Sequence, residues 1–286
     1  MKVYDRLSGG YIEAPQYGQG ALESLYGKPF GRFLLKIVIT PATSRFYGWL
    51  KRRPSSIKDI PAFIDEYHIK IEDFEERKYT SFSDFFTRKI KPGARTVDLD
   101  DEAFISPADS KVLIYRITDD AKLSIKGSEY TVEELVGTGT DTSSFANGYA
   151  LVFRLSMDDY HRYCFADNGS FLSKKYIRGK LHTVSSISSK YKIYKENSRV
   201  VNHLQTDNFD DIYQIEVGAL LVGKMVNYDV KTFNKGDEKG YFEPGGSTVI
   251  ILVKDNVVRL DDDIMEQSSN GIETKVLYGE RIGKRI

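Results

Sequence analysis

Cysteine is almost absent from this chain: its 286 residues include one, Cys164. A single thiol excludes an internal disulfide framework and any metal site that needs several cysteines. Histidine is also scarce, with four residues spread between positions 68 and 203, so the sequence predicts no structural metal. Long apolar runs are missing too. The longest covers residues 33–39 and is broken by Lys36, whereas a membrane-spanning helix needs about 20 apolar residues.

Net charge is the third quantity that the chain lacks, because 41 basic residues balance 41 acidic ones. A balanced total argues against a nucleic-acid binder. The balance is uneven along the chain, however. Residues 28–58 carry eight basic side chains and no acidic one, which leaves 33 basic against 41 acidic residues elsewhere. The N-terminal sequence has no apolar signal core, so we expect a chain that stays in a reducing compartment.

The basic stretch has the periodicity of an amphipathic helix. At 100° per residue its apolar side chains fall on one face and several basic ones on the other. Pro41 interrupts the helix, and a second apolar turn follows around Trp49. Helices of this kind lie in membrane surfaces, although a helix packed on its own domain with solvated charges would show the same pattern. The predicted membrane contacts are Phe33, Ile37, Trp49, Arg32, Lys36, Arg52 and Arg53.

From about residue 103 the pattern changes to short β-branched and aromatic runs between Gly, Asp, Asn and Ser. The predicted strands include residues 112–117, 149–155, 212–217, 226–230 and 248–253, which indicate an antiparallel β domain. Residues 57–90 still have helical spacing. We therefore predict an α+β fold: N-terminal amphipathic helices followed by a largely antiparallel, barrel- or sandwich-like, β-rich domain. The helical, membrane-associating region covers residues 1–100, and the β-rich domain covers 101–286.

Residues 218–224, Gly-Ala-Leu-Leu-Val-Gly-Lys, have the spacing of a phosphate-binding loop. The next residue is Met225, where such a loop needs a Ser or Thr hydroxyl to hold magnesium. The sequence from Ile215 to Val230 also has strand character throughout. We therefore interpret this segment as β structure with glycines at bends or close backbone approaches.

A second glycine-rich segment, residues 243–248, reads Glu-Pro-Gly-Gly-Ser-Thr and precedes the apolar run 249–253. As structure, it predicts a tight turn that enters a buried strand. As chemistry, it places the Ser247 hydroxyl beside the unhindered carbonyl of Gly246. Attack on that carbonyl would form an ester, and β-elimination would then break the chain and leave dehydroalanine, and later a pyruvoyl group. This chemistry needs a base to activate the serine and an acid to orient the base.

Two polar segments offer the base and the acid. His161 lies within Asp-Asp-Tyr-His-Arg, residues 158–162, after a predicted strand, and Asp109 ends Ser-Pro-Ala-Asp, residues 106–109, before another. The ordinary alternatives are a structural imidazole and a carboxylate that caps a turn. Spacing along the sequence does not by itself bring these two side chains to Ser247.

Taken together, the motifs resemble the phosphatidylserine decarboxylase family of pyruvoyl-dependent enzymes. The similarity is collinear from about Tyr79 to Val253, and its specificity comes from the order of the motifs. They are residues 85–89 (FFTRK), 91–95 (KPGAR), 106–109 (SPAD), 126–130 (KGSEY), 159–162 (DYHR), 196–201 (ENSRVV), 217–223 (VGALLVG), 235–242 (KGDEKGYF) and 245–248 (GGST).

The resemblance implies a proenzyme that cuts itself between Gly246 and Ser247. The products, chains 1–246 and 247–286, would form a heterodimer that can dimerise further. Asp109, His161 and Ser247 match the family's self-cleavage triad. The pyruvoyl group made from Ser247 would form an imine with phosphatidylserine and release CO2 to give phosphatidylethanolamine, without a metal or pyridoxal phosphate. His161 is the expected acid–base group in this half as well.

The resemblance also predicts partners and a location. They are phosphatidylserine and an anionic membrane surface, with no nucleic acid, at the cytoplasmic face of the cell membrane as a peripheral protein. Cys164 stands where many members have a second histidine, so we expect either an auxiliary role for its thiol or a plain buried side chain. Two alternatives remain: a pyruvoyl decarboxylase of a soluble amino acid, and a membrane-docked β domain that never matures. The basic aromatic helix argues against the soluble substrate.

Overall fold

The computed structural model describes residues 1–14, 19–125, 128–183, 192–221 and 224–286. The motif residues Lys126, Gly127, Val222 and Gly223 lie outside these ranges. Most of the helices described precede residue 90. They are α1 Gln19–Gly27, α2 Pro29–Val38, α3 Pro41–Lys51, α4 Ile60–Tyr67, α5 Phe82–Phe86, α6 Val132–Val136, α7 Ile193–Glu196 and α8 Asp262–Ser269, with 3-10 turns at Pro54–Asp59, Ile71–Asp73 and Ser143–Phe145.

Most of the strands described follow residue 100. They are β1 Lys2–Asp5, β2 Gly10–Glu13, β3 Ala103–Ile105, β4 Ser110–Arg116, β5 Lys122–Ile125, β6 Ser128–Thr131, β7 Tyr149–Leu155, β8 Arg162–Cys164, β9 Gly169–Ile177, β10 Arg199–Thr206, β11 Asp211–Gly218, β12 Met225–Asn227, β13 Thr232–Phe233, β14 Glu238–Phe242, β15 Ser247–Val253, β16 Val258–Leu260, β17 Glu273–Val276 and β18 Arg281–Arg285.

A ten-stranded sheet organises the molecule, in the order β13-β9-β10-β11-β15-β7-β4-β17-β1-β2. Every neighbouring pair is antiparallel except β1 and β17. Smaller sheets combine β12-β14-β8, β16-β18-β3 and β5-β6. The α+β prediction is confirmed. The large sheet is open between its edge strands β13 and β2, so the barrel version of that prediction does not describe it.

The predicted strands are confirmed at β4, β7, β11 and β15, whereas the strand predicted over residues 226–230 is shorter, because β12 ends at Asn227. Gly218 ends β11 and Met225 begins β12, so the phosphate-loop spacing at residues 218–224 starts in a strand and leads into one. The first two strands were not anticipated from sequence. They precede the helices in the chain, yet β1 joins the edge of the large sheet beside β17.

Helices α1 to α3 form a layer that we call the helical layer. Proline opens both α2 and α3, where its missing N–H is not needed, and Thr40 caps α3 by accepting a hydrogen bond from the backbone N–H of Thr43 at 3.3 Å. Gly31 is required where α1 and α2 cross, because a Cβ there would stand 1.9 Å from the Ser24 carbonyl oxygen. The layer therefore begins with a tight helical hairpin.

The main hydrophobic core lies on the large sheet and includes every apolar residue of β15. A run of Val and Ile residues that is buried on both faces is the pattern of a central strand. A second cluster joins α4 and α5 to Tyr160, and a third joins Tyr26 and Leu35 of the helical layer to Leu220. The second cluster therefore packs helices against the residue before His161, and the third packs helices against the segment that follows β11.

Candidate active site

Ser247 lies at the first position of β15, in the middle of the large sheet. It pairs with Leu155 of β7 on one side and with Gly218 of β11 on the other. The residue is completely buried, and its Oγ finds no hydrogen-bond partner in the described chain. Leaving a buried hydroxyl unpaired costs about 1–3 kcal/mol. Such a group calls for a specific explanation, and a role as a reacting hydroxyl is one.

The turn before Ser247 has the backbone geometry that its glycines allow. Gly245 has a φ of 144°, a region open mainly to glycine. Glu243, at the start of the turn, donates its backbone N–H to the Lys224 carbonyl at 2.9 Å. The bond between Gly246 and Ser247 thus joins a constrained turn to a fixed strand.

Two chain connections run side by side at this point. One leads from β7 through residues 156–161 to β8, and the other leads from β14 through residues 243–246 to β15. Because β7 pairs with β15 and β8 pairs with β14, both connections join the same two sheets. His161 ends the first connection and Ser247 follows the second. The backbone N–H of Phe242 donates to the His161 carbonyl at 3.0 Å, so sheet pairing brings the two segments together.

His161 is buried with one ring nitrogen satisfied and one free. Nδ1 lies 3.0 Å from the Asp159 carbonyl oxygen, and because a carbonyl only accepts, Nδ1 carries the proton. Nε2 therefore presents a lone pair, and it has no partner within the described ranges. Burial lowers the pKa of His161 to about 3. The ring also packs against Phe86, with centroids 4.3 Å apart. This is a neutral imidazole oriented to accept a proton.

A buried ion pair supports the segment that holds His161. Lys111 of β4 donates to both carboxylate oxygens of Asp159 at 2.7 Å, and the Ser156 N–H donates to the same carboxylate at 2.6 Å. Burial raises the pKa of Asp159 to about 6, although Lys111 opposes the rise. The carbonyl that orients His161 therefore belongs to a residue whose side chain is itself anchored.

Asp109 occupies the same region but has other partners. Arg95 donates Nε and Nη2 to its carboxylate, with the shortest distance at 2.6 Å, and the Tyr278 N–H donates at 2.8 Å. The Cys164 N–H donates to the Pro107 carbonyl at 2.9 Å, which fixes the Asp109 segment against β8. Among the described residues, no hydrogen bond joins Asp109 to His161. The structure brings the segments of Asp109 and His161 together. The hydrogen bond that orients the His161 ring, however, goes to the backbone carbonyl of Asp159.

Comparison with known proteins gives a consistent result. The family model for phosphatidylserine decarboxylase matches residues 82–284. The chain belongs to the phosphatidylserine decarboxylase family. It is 51% identical to a protein named phosphatidylserine decarboxylase proenzyme 2 from Clostridium acetobutylicum, over 94% of this chain and 93% of the relative. Proteins named phosphatidylserine decarboxylase proenzyme from Fusobacterium nucleatum and Desulfitobacterium hafniense strain Y51 are 38% and 36% identical, over at least 97% of each chain. The predicted family, one of carboxy-lyases, is confirmed.

Sequence reasoning missed several polar residues of this decarboxylase fold. Arg95, Lys111 and Asp159 hold or orient the predicted ones. Residues 91–95 and 159–162 contain Arg95 and Asp159, so those motifs were the available signal for these two, and Lys111 had none. A cavity of about 1160 Å³ is lined by Asp109, Asp159 and Arg95 together with Arg88. Arg88 is buried, and its Nε and Nη2 have no partner in the described part of the chain. Desolvation lowers the pKa of Arg88 to about 10.

Cys164, where many family members have histidine, is fully buried in β8. Its Sγ lies 3.8 Å from the Ser106 carbonyl oxygen. Burial raises the pKa of the thiol to about 12, so the side chain is protonated at neutral pH. A thiolate base at this position is therefore disfavoured by its surroundings.

The helical layer leaves large apolar side chains in solvent. Phe33 is 65% exposed, and Ile37 and Trp49 are about half exposed, while Leu35 on the opposite side of α2 is buried. Arg32 and Lys36 are also exposed. Arg53 places its guanidinium over the Trp49 ring at 4.5 Å. Arg52 differs, because its Nη1 donates to Glu243 at 2.6 Å.

Across residues 1–14, 19–125, 128–183, 192–221 and 224–286, no group of three or more His, Cys, Asp or Glu side chains could hold a metal ion. In the part of the chain that the structure describes, no helix is long and apolar enough to cross a membrane.

Proposed function

We propose that this protein is a phosphatidylserine decarboxylase that activates itself by cleavage between Gly246 and Ser247. One observation carries the proposal: the Ser247 Oγ and the His161 Nε2 are both buried and without hydrogen-bond partners in the described chain, and a hydrogen bond from the Phe242 N–H to the His161 carbonyl joins their two segments. A nucleophile and a base that are both left free represent a cost to stability. Membership of the phosphatidylserine decarboxylase family offers a reason for this cost, because the proposed self-cleavage needs both groups free.

In the proposed cleavage, His161 Nε2 takes the Ser247 hydroxyl proton as Oγ attacks the Gly246 carbonyl. The peptide C–N bond breaks as the ester forms. Loss of the α proton of residue 247 then expels Gly246 as a carboxylate and leaves a dehydroalanine. Water replaces the nitrogen, which leaves as ammonia, and a pyruvoyl group remains. Asp109 is proposed as the third member from the family motif, supported by its burial beside β8.

The proposed cleavage would leave the two chains interleaved. The smaller product, residues 247–286, contributes β15 between β11 and β7, and β17 between β4 and β1. Arg6 of the larger product also forms ion pairs with Asp261, Asp263 and Glu280 of the smaller one. A heterodimer held by two shared strands would not separate without unfolding the sheet.

The residues around position 247 fit a pyruvoyl group, because the side chain there is small, buried and free of partners. When present, that group supplies a ketone that binds an amino group covalently and accepts the electron pair released as CO2 leaves. His161 would deliver the proton that replaces CO2 at the substrate α carbon. Burial would keep bulk water from the reacting atoms. Cys164 is proposed as an auxiliary hydrogen-bond donor, not as a base, because its thiol is protonated.

The helical layer supports a phospholipid substrate in preference to a soluble amino acid. Exposed Phe33, Ile37 and Trp49 stand beside basic Arg32 and Lys36, and each basic residue near an anionic leaflet contributes about 1 kcal/mol. We propose that residues 1–100 include this membrane-binding layer, that 101–286 form the catalytic domain to which β1 and β2 add, and that the protein lies peripherally on the cytoplasmic face of the cell membrane.

The proposal is tested by intact mass and by substrate. The purified wild type should give chains 1–246 and 247–286, the second of 40 residues with a blocked amino terminus. Ser247→Ala should remain at 32.6 kDa, whereas Ser269→Ala, a change at an exposed serine of the smaller chain, should mature normally. Mature enzyme should release CO2 from phosphatidylserine vesicles and not from free serine.

An uncut wild type would contradict self-cleavage. Release of CO2 from a free amino acid alone would instead indicate the soluble-substrate alternative.

A further inference from the structure

The ion pair between Arg52 and Glu243 joins the helical layer to the turn that contains the proposed cleavage site. Arg52 Nη1 donates to Glu243 Oε2 at 2.6 Å, and the Glu243 side chain is 10% exposed while that of Arg52 is 46% exposed. Glu243 lies three residues before Gly246. The carboxylate is thus withdrawn from solvent, and a cation from another layer neutralises it.

Both ends of this ion pair are fixed. Arg52 directly follows α3 and donates its backbone N–H to the Gly48 carbonyl at 3.0 Å. The neighbouring Lys51 pairs with Asp59 at 2.8 Å, which holds the end of the helix in place. At the other end, the Glu243 N–H is bonded to the Lys224 carbonyl. A contact between two anchored backbones restricts the turn between them.

Adjacent arginines have different surroundings here. Arg53 is exposed and covers the Trp49 ring, as expected of a residue at the membrane-facing surface. Arg52, which the amphipathic pattern predicts as a membrane contact like Arg53, instead pairs with Glu243 of the catalytic domain. A charge-assisted hydrogen bond of this length is among the stronger polar contacts in proteins.

We propose that Arg52 is a positioning residue for self-cleavage: its ion pair with Glu243 fixes residues 243–246 so that the Gly246 carbonyl lies in reach of the Ser247 hydroxyl. The inference rests on the proposed function, since it concerns how the same bond is cut. The helical layer then has two roles, one at the membrane surface and one in maturation of the catalytic domain.

The experiment follows cleavage of newly made proenzyme in cell-free translation without membranes, by denaturing gel over time. Arg52→Gln and Glu243→Gln should each slow cleavage about five-fold, which corresponds to about 1 kcal/mol of activation free energy. The double variant Arg52→Gln/Glu243→Gln should be no slower than either single variant, because both remove one contact. The charge swap Arg52→Glu/Glu243→Arg should recover a rate within about two-fold of wild type.

Arg45→Gln is the matched control, because Arg45 is an exposed residue of α3. Its side chain forms no hydrogen bond or ion pair among the described residues. It should cleave at the wild-type rate. Unfolding temperatures, measured for each variant in the uncleavable Ser247→Ala background, separate positioning from general loss of stability.

The inference is overturned if wild type cleaves and Arg52→Gln cleaves equally fast. It is also overturned if the charge swap is as slow as the single variants while its unfolding temperature equals that of wild type. Failure of the wild type to cleave is a different result, because it removes the proposed function itself.

Discussion

The central strand β15 and the helical layer depart from ordinary protein structure in opposite ways. Every residue of β15 is buried, including a serine hydroxyl with no partner in the described chain. The helical layer leaves Phe33 and Trp49 in solvent. An unpaired buried polar group and a cluster of exposed apolar groups are each costly if the molecule is considered alone.

The two departures indicate two different partners. At Ser247 the proposed partner is His161 Nε2, which also has no hydrogen-bond partner in the described chain. At the helical layer the proposed partner is a membrane surface, which would cover several apolar side chains. The contrast predicts that substitutions around Ser247 should impair self-cleavage and leave membrane binding unchanged. Substitutions of the exposed apolar residues in the helical layer should weaken membrane binding and leave self-cleavage unchanged.

The largest effect is expected for His161→Gln. General-base catalysis contributes about 10²- to 10⁴-fold, so cleavage of the variant should be lost on the timescale in which wild type completes it. The measurement is the fraction of uncut chain on a denaturing gel. His203→Gln is the control, because His203 of β10 pairs with Asp211 of β11 and has no proposed role. Full maturation of His161→Gln would remove His161 from the proposed mechanism.

A smaller effect, on binding alone, is expected for Phe33→Ser/Trp49→Ser. Burial of a large apolar side chain contributes about 1.5–3 kcal/mol, and partial burial of two should account for about ten-fold in vesicle affinity. Cosedimentation with phosphatidylserine–phosphatidylcholine vesicles measures it. The unfolding temperature should not change, whereas Leu35→Ala on the buried side of α2 should lose about 2–5 kcal/mol.

Equal destabilisation by the exposed pair and by Leu35→Ala would show that Phe33 and Trp49 pack within the protein. The helical layer would then have no exposed apolar surface available to a membrane.

Local pattern was enough to predict much of this molecule. Helical spacing located α2 and α3, and the apolar run after Ser247 located β15. The Gly-Gly-Ser-Thr segment indicated the nucleophile. Contacts between distant segments were not predictable in this way, because the side-chain pattern of β7 does not specify that β15 is its neighbour. The ion pair of Arg95 with Asp109 was not predictable for the same reason.

The N-terminal strands show a second limit. Only one residue of β1 is buried and β2 is largely exposed, so neither has the alternation of a half-buried strand. Their position depends on β17, some 270 residues along the chain. The orienting group of His161 was also missed, because it is a backbone carbonyl, and every residue type provides one.

The smallest expected effect is that the His161 ring does not titrate near neutral pH. Because burial lowers the pKa of His161 to about 3, its ring should stay neutral, with the proton on Nδ1, from pH 5 to pH 8. Nitrogen-15 spectra of labelled histidines in the Ser247→Ala proenzyme would show this, with His161→Gln assigning the resonance. A midpoint within that interval would mean that water reaches the imidazole and that burial lowers the pKa of His161 much less than the structure indicates.

The same shift has a consequence for stability with a definite sign. Between pH 6.5 and 3 the unfolded chain binds a proton at His161 that the folded chain does not, so this residue makes the protein less stable as the pH falls through that range. Asp159, whose pKa is raised to about 6, makes the protein more stable as the pH falls. Its contribution cancels in a comparison of two variants that both contain it. Urea unfolding of Ser247→Ala with and without His161→Gln should therefore show a flatter acid slope in the variant, and equal slopes would place His161 in solvent.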